Sequence, residues 1–117
     1  MMNHAGINLL AGTDLASSVI YPGFSLHDEL GLLVEAGLTP LEALRTATSN
    51  PARLFPNSQA GTIAAGKSAD LVLLDANPVE DIRNAQRISG VVLKGRFLDR
   101  KALDQVLVQA AKLASQN

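Results

Sequence analysis

Asp14 is the first residue whose type and position could do chemistry. It follows an apolar run over residues 7–13 that ends on Gly12 and Thr13. The run predicts a buried strand, and a carboxylate at the carboxyl end of a strand in a parallel sheet or barrel often binds a metal or acts as a general base. A carboxylate there also caps the following helix in many proteins. The pattern alone leaves both roles open for Asp14.

Two histidines could join Asp14 in a metal site. His4 lies ten residues before Asp14, so in an extended strand it would be roughly 30 Å away, at the opposite end. His27 is better placed, because the loop after Asp14 can fold back over the strand end, although a single helical histidine is also commonly a packing or surface residue. A catalytic zinc site usually needs three protein ligands, which Asp14 and His27 do not supply.

Two other chemistries are suggested by short motifs and disfavoured by their context. Residues 61–68 match the phosphate-loop pattern Gly-x-x-x-x-Gly-Lys-Ser. That motif needs a helix directly after it, because the helix amides hold the phosphates, and here a short apolar run follows instead. Ser25 lacks the Gly-x-Ser-x-Gly elbow of serine hydrolases. It is better explained as the cap of a helix.

Length, charge and composition exclude several classes. The 117 residues suit one small domain, whereas a complete barrel of eight strand–helix units needs roughly 250 residues. The net charge is −1 and like charges form no run, so neither nucleic acid nor an anionic membrane surface is predicted as a partner. The sequence has no cysteine, leader pattern or apolar span. We therefore expect a cytoplasmic protein.

Helices are predicted on both sides of Gly37. Ser25 predicts the start of a helix that ends at Gly37, with Asp28 and Glu29 near its positive N-terminus. Thr-Pro-Leu-Glu at residues 39–42 predicts a second helix, with a reciprocal cap, that runs to about residue 48. Its predicted apolar stripe is Leu41, Leu44 and Ala47, and Asn50-Pro51 is expected to interrupt the helical structure before another short turn.

Beyond a loop at residues 56–61, the hydrophobic period changes from helical to strand-like. Strands are predicted at residues 70–75, 88–93 and 96–98, with a tight hairpin turn at Lys94 and Gly95. Residues 79–87 predict a turn or one loose helical turn. Residues 101–115 predict an amphipathic helix, because their apolar side chains recur at helical spacing.

Short motifs also occur in a characteristic order along the chain. They are Ala-Gly-Thr-Asp, Pro-Gly-Phe-Ser-Leu-His-Asp-Glu-Leu, Glu-Ala-Gly-Leu-Thr-Pro-Leu-Glu-Ala-Leu, Ala-Thr-Ser-Asn-Pro-Ala, Gly-Lys-Ser-Ala-Asp-Leu-Val-Leu-Leu-Asp and Val-Val-Leu-Lys-Gly. This ordered set covers about residues 5–98 and resembles the C-terminal part of the amidohydrolase superfamily. The second motif is most similar to the imidazolonepropionase-like and Xaa-Pro dipeptidase-like branch, which hydrolyses amide or cyclic C–N bonds.

The resemblance implies an α/β fold with three parts. Residues 1–57 would be the last βα unit of a metal-dependent hydrolase TIM barrel, residues 58–99 part of a small β-sandwich domain, and residues 100–117 a C-terminal helix. Asp14 would end the eighth barrel strand, contact zinc or another divalent metal, and accept the proton of the attacking water. His27 would lie near a small-molecule or peptide-like substrate.

The other metal ligands of that superfamily have no counterpart in this sequence. The sequence therefore predicts a fragment that binds no metal and is inactive as an isolated chain. An alternative is a non-catalytic association module, which buries its unpaired strand and apolar faces against another copy or a companion chain. In either case we expect a homo-oligomer or a complex with a companion chain.

Overall fold

The computed structural model describes residues 6–14, 23–55 and 58–115. The described residues form a mixed α/β structure with a small antiparallel sheet. Its elements, in chain order, are α1 (Ser25–Glu35), α2 (Pro40–Thr46), α3 (Ser49–Leu54), β1 (Leu71–Leu74), a 3₁₀ helix (Ile82–Gln86), β2 (Ile88–Leu93), β3 (Arg96–Asp99) and α4 (Arg100–Ala114). None of the helices in these three ranges has the length and apolar character needed to cross a membrane.

The predicted boundary signals around Gly37 are largely confirmed. Gly37 follows α1 with a φ of 102°, the left-handed conformation that glycine adopts at low cost. Thr39 and Glu42 cap α2 reciprocally: Thr39 Oγ1 accepts from the Glu42 N–H, and the Glu42 carboxylate accepts from the Thr39 N–H at 2.8 Å. Ser25 is the first residue of α1 and not its cap, because Phe24 occupies the cap position without a side-chain hydrogen bond.

The predicted interruption at Asn50-Pro51 is wrong. Both residues lie in the first turn of α3, where a proline is tolerated because the first helical N–H groups have no intrahelical acceptor. The chain changes direction earlier, between the end of α2 at Thr46 and the start of α3 at Ser49. Thr48, before α3, has the non-helical φ and ψ of −128° and −89°.

The three strands form a sheet in the order β1-β2-β3, and both neighbouring pairs are antiparallel. The hairpin turn between β2 and β3 is confirmed at Lys94 and Gly95, whose φ values are 50° and 78°. Two successive positive φ values match the right-handed twist of the flanking strands. The three strands predicted beyond residue 69 and the final helix are present at their expected places in the chain, and the turn predicted at residues 79–87 contains the 3₁₀ helix.

The core is small and joins the helices to the 3₁₀ helix. Leu30 of α1, Ala43 of α2 and Ile82 of the 3₁₀ helix form its buried cluster. The predicted stripe on α2 is partly wrong, because Leu41 is 41 % exposed whereas Thr46 is only 1 % exposed. Thr46 is accommodated because its hydroxyl donates a hydrogen bond to the carbonyl of Ala43 at 2.6 Å.

Residues 7–13 do not form the predicted strand. They carry no strand pairing, and Ile7 and Leu10 are 51 % and 44 % exposed. A strand requires hydrogen bonds from a neighbouring strand, and the strands of the described chain all lie within residues 71–99. The segment bonds to the helices instead.

Candidate functional site

The segment before Asp14 is held against the helices by hydrogen bonds. The Ala11 N–H donates to the carbonyl of Thr46 at 3.0 Å, at the end of α2. The side-chain amide of Asn50, in α3, donates to the carbonyl of Leu9 at 2.9 Å. Residues 9–11 are therefore anchored by backbone and side-chain groups of two short helices.

A third hydrogen bond comes from α1. Glu29 Oε1 accepts from the Gly12 N–H at 2.9 Å. The other oxygen, Oε2, is buried and has no hydrogen-bond donor among the described residues. The sequence indicated only that Glu29 is a favourable charge near a helix N-terminus. Its contact with Gly12 joins residues 17 positions apart, which helical periodicity does not indicate, although Glu29 belongs to the motif that also contains His27.

Asp14 lies two residues beyond this contact. Its side chain is exposed, and its backbone adopts a left-handed conformation with a φ of 48°. Aspartate is one of the few non-glycine residues that tolerate this conformation. Asp14 does not cap α1, since Phe24 occupies that position. The carboxylate is thus presented on the surface at the end of an anchored segment.

His27 lies in the first turn of α1 and faces a different part of the molecule. It is partly buried, and its Nδ1 is buried without a hydrogen-bond partner in the described part of the chain. His27 borders a largely apolar cavity of about 490 Å³ between α1, β2 and α4, lined by Phe24, Ile88, Val91, Leu103, Val106 and Leu107 among others. Asp14 does not line this cavity.

The described residues do not fit a metal ion by themselves. Across residues 6–14, 23–55 and 58–115, no three His, Cys, Asp or Glu side chains are grouped so that they could hold one. Catalytic zinc sites generally use three protein ligands. Asp14 therefore does not belong to a complete set of metal ligands among the described residues.

The loop that matches the phosphate-binding pattern has a different architecture. It leads into β1 and not into a helix, so it lacks the helix N-terminus that holds phosphates. Lys67 Nζ donates to the carbonyl of Ser58 at 3.0 Å, and the Ser68 N–H donates to the carbonyl of Gln59 at 2.8 Å. These contacts close the loop on itself.

Comparison with known proteins gives consistent matches to one group of hydrolases. A model of the amidohydrolase family matches residues 1–98. Ochratoxinase from Aspergillus niger is 39 % identical over an alignment of 90 residues, which covers 74 % of this chain and 18 % of that protein. Among solved structures, molinate hydrolase has a TM-score of 0.73 at 30 % identity and is matched over 84 % of this chain and 25 % of its own.

A Xaa-Pro dipeptidase solved with methionine in its active site is a further structural relative. Its TM-score is 0.72 at 30 % identity, with 83 % of this chain and 23 % of the dipeptidase covered. The chain thus spans 18 to 25 % of the length of these three relatives. The family model extends through the helices that anchor the Asp14 segment and through all but the last residue of the small sheet, and by that match the chain belongs to the amidohydrolase family.

Proposed function

We propose that this chain is the C-terminal part of a metal-dependent amidohydrolase that hydrolyses amide or cyclic C–N bonds. The family match over residues 1–98 carries this proposal. The three relatives described above are named ochratoxinase, molinate hydrolase and Xaa-Pro dipeptidase. The proposed substrate class is accordingly a small molecule or a peptide-like compound.

In this proposal Asp14 is the catalytic carboxylate. Its side chain is exposed at the end of an anchored segment, and no described residue donates a hydrogen bond to it. A carboxylate in that state is free to accept a proton from an attacking water molecule. Asp14 would also be one ligand of zinc or another divalent metal, with the remaining ligands supplied from outside the described residues.

His27 is proposed to lie near the substrate. It follows Asp14 in the chain and lies in the first turn of α1, two residues before Glu29, which contacts the Asp14 segment. Its Nδ1 is buried with no partner within the described ranges, and a polar atom of a ligand would satisfy that nitrogen. His27 also borders the apolar cavity between α1, β2 and α4.

The division into three parts is also a proposal. Residues 1–57 would belong to the end of the barrel, residues 58–99 to the small β domain and residues 100–117 to a C-terminal helix. The β1-β2-β3 sheet supports the second part. The 3₁₀ helix links it to the first part, because Ile82 is buried with Leu30 and Ala43.

A chimera tests the proposed activity. The part of ochratoxinase that matches this chain would be replaced by residues 7–98 of this chain, so that the transplanted part contains both Asp14 and His27. We expect the chimera to retain hydrolysis of that enzyme's own substrate, because the transplanted part supplies the same position of the fold. Circular dichroism and thermal unfolding would verify that the chimera is folded. Loss of hydrolysis in a folded chimera would contradict the proposal.

The isolated chain should be inert, since the described residues supply no complete ligand set. Elemental analysis after incubation with zinc should find less than one metal ion per chain, and hydrolase assays with amide substrates should give only background rates. Stoichiometric zinc accompanied by hydrolysis would refute the proposed inactivity of the separate chain.

A second candidate function is association with another copy or a companion chain. The apolar face of α4 favours it, because Val106 and Leu107 are each 55 % exposed and border the cavity beside β2. Apolar surface of this kind commonly marks a protein interface. Light scattering of the purified chain should then show an oligomer that Leu107→Asp disrupts, whereas Gln109→Asp, with the same added charge on the same helix, should not disrupt it.

A further inference from the structure

We propose that Glu29 is a positioning residue, which fixes the backbone that presents Asp14. The inference rests on the proposed role of Asp14, but the contact that carries it lies entirely within the described residues. Glu29 Oε1 accepts from the Gly12 N–H at 2.9 Å, and Gly12 is two residues before Asp14. No other hydrogen bond from the helices is made closer to Asp14 along the described segment.

Packing does not fix Gly12. A Cβ atom added at Gly12 would meet no heavy atom within 4 Å, so the backbone there is not confined by neighbouring side chains. The anchors to Thr46 and Asn50 act at Ala11 and Leu9, farther from Asp14. The hydrogen bond to Glu29 is therefore the hydrogen bond from the helices that holds the described segment nearest to Asp14.

The other end of this contact is rigid. Glu29 precedes Leu30, which is 4 % exposed and packs in the core with Ala43 and Ile82. A positioning residue acts through its own fixed attachment, and a helix packed into the core provides one. Displacement of the Glu29 backbone would require α1 to move in that core.

The chemistry of the side chain favours orientation over general stabilisation. An N–H donated to a carboxylate forms a charge-assisted hydrogen bond, which is stronger than one to a neutral acceptor. Burying a carboxylate with few donors costs free energy, and Glu29 Oε2 is buried with no donor in the described ranges. An apolar side chain would fill the same space at lower cost, whereas only an acceptor can direct the Gly12 N–H.

Amide hydrogen exchange and ¹⁵N relaxation, measured by NMR on the full chain, test the inference without an activity assay. The variants are Glu29→Ala, which removes the acceptor, and Glu29→Gln, which keeps a neutral one. The control is Glu35→Gln, the same change at an exposed residue of the same helix. We expect exchange at Gly12 to accelerate about tenfold or more in Glu29→Ala and by a smaller factor in Glu29→Gln.

The backbone order parameter at Asp14 should fall in Glu29→Ala and recover partly in Glu29→Gln, while Ala11 stays protected by its separate bond to Thr46. Unchanged Gly12 exchange in both variants, or a wild-type Gly12 amide as fast as in an unfolded peptide, would overturn the inference. If Glu29→Ala accelerates exchange throughout the core, the inference is tested instead by comparing Gly12 exchange in Glu29→Gln with Gly12 exchange in Glu35→Gln. A finding that Asp14 is not catalytic would leave these NMR results unaffected and would count only against the proposed function.

Discussion

Gly61 lies where the loop before β1 approaches α3, and we predict that Gly61→Ala destabilises the fold. Gly61 has a φ of 83°, and an alanine in the left-handed region costs about 1–2 kcal/mol. Its added Cβ would lie 2.6 Å from the Cβ of Ala52 and 2.7 Å from the backbone oxygen of Thr48. The Ala52 Cβ is attached directly to the α3 backbone, and the Thr48 oxygen is a backbone atom at the cap of that helix. Neither atom can therefore move away by rotation of a side chain.

The expected loss of stability combines the backbone cost given above with two further contributions. Relief of such overpacking typically costs about 1–3 kcal/mol. Alanine also restricts the unfolded chain, which offsets about 0.4–1 kcal/mol of the loss. We therefore expect Gly61→Ala to lower the free energy of unfolding by about 1–4.5 kcal/mol. At a typical urea dependence of about 2 kcal/mol per M, the urea midpoint would fall by about 0.5–2 M.

Gly66→Ala provides a matched control. Gly66 has nearly the same φ, 81°, but a Cβ added there meets no heavy atom within 4 Å. Gly66→Ala should therefore lower the free energy of unfolding only by the backbone cost less the unfolded-state offset, about 0–1.5 kcal/mol. Urea unfolding followed by circular dichroism compares the two variants. Equal losses of stability in Gly61→Ala and Gly66→Ala would refute the claimed contact between the loop and α3.

Two further predictions concern local polar contacts. Thr39→Ala should lower the free energy of unfolding by about 1 kcal/mol, because it removes the side-chain half of the reciprocal cap with Glu42; thermal unfolding measures this, and an unchanged midpoint would contradict it. The hydrogen bonds from the Arg83 side chain and backbone hold the pKa of Asp81 below its ordinary value of 3.8. The contribution of this pair to the stability of the fold is therefore fully present above the ordinary pKa of Asp81. It is lost as the pH falls through the lowered pKa that Asp81 has in the folded chain. In a carbon-detected NMR titration, Arg83→Gln should raise the Asp81 midpoint, and an unchanged midpoint would show that the ion pair does not form.

Local signals in the sequence predicted the elements that local contacts determine. The reciprocal cap of Thr39 and Glu42 needs four consecutive residues, and the Lys94-Gly95 turn needs two positive φ values between apolar runs. Each of these structures forms from neighbours in the chain, so their residue types are sufficient to indicate them. The resemblance to the amidohydrolase family was also recognisable, because the motifs occur in order along the chain.

Contacts between distant residues account for the features that were missed. The apolar run at residues 7–13 has the composition of a strand, but a strand depends on partners that hydrophobic spacing cannot supply. Leu41 has the right spacing for a buried stripe, yet the smaller Ala43 and Thr46 face the core. The bond between Gly12 and Glu29 joins two elements whose arrangement depends on the packing of Leu30.

The Asp14→Asn substitution in the ochratoxinase chimera tests the central claim most directly. If Asp14 is the catalytic carboxylate, the substitution should lower kcat/KM by about 10² to 10⁴, the range typical of a lost acid–base group. Asp75→Asn makes the same change at an exposed carboxylate after β1 and should leave kcat/KM within a few-fold of the parent chimera. A folded Asp14→Asn chimera with the same kcat/KM as the Asp75→Asn chimera would contradict the assignment of Asp14.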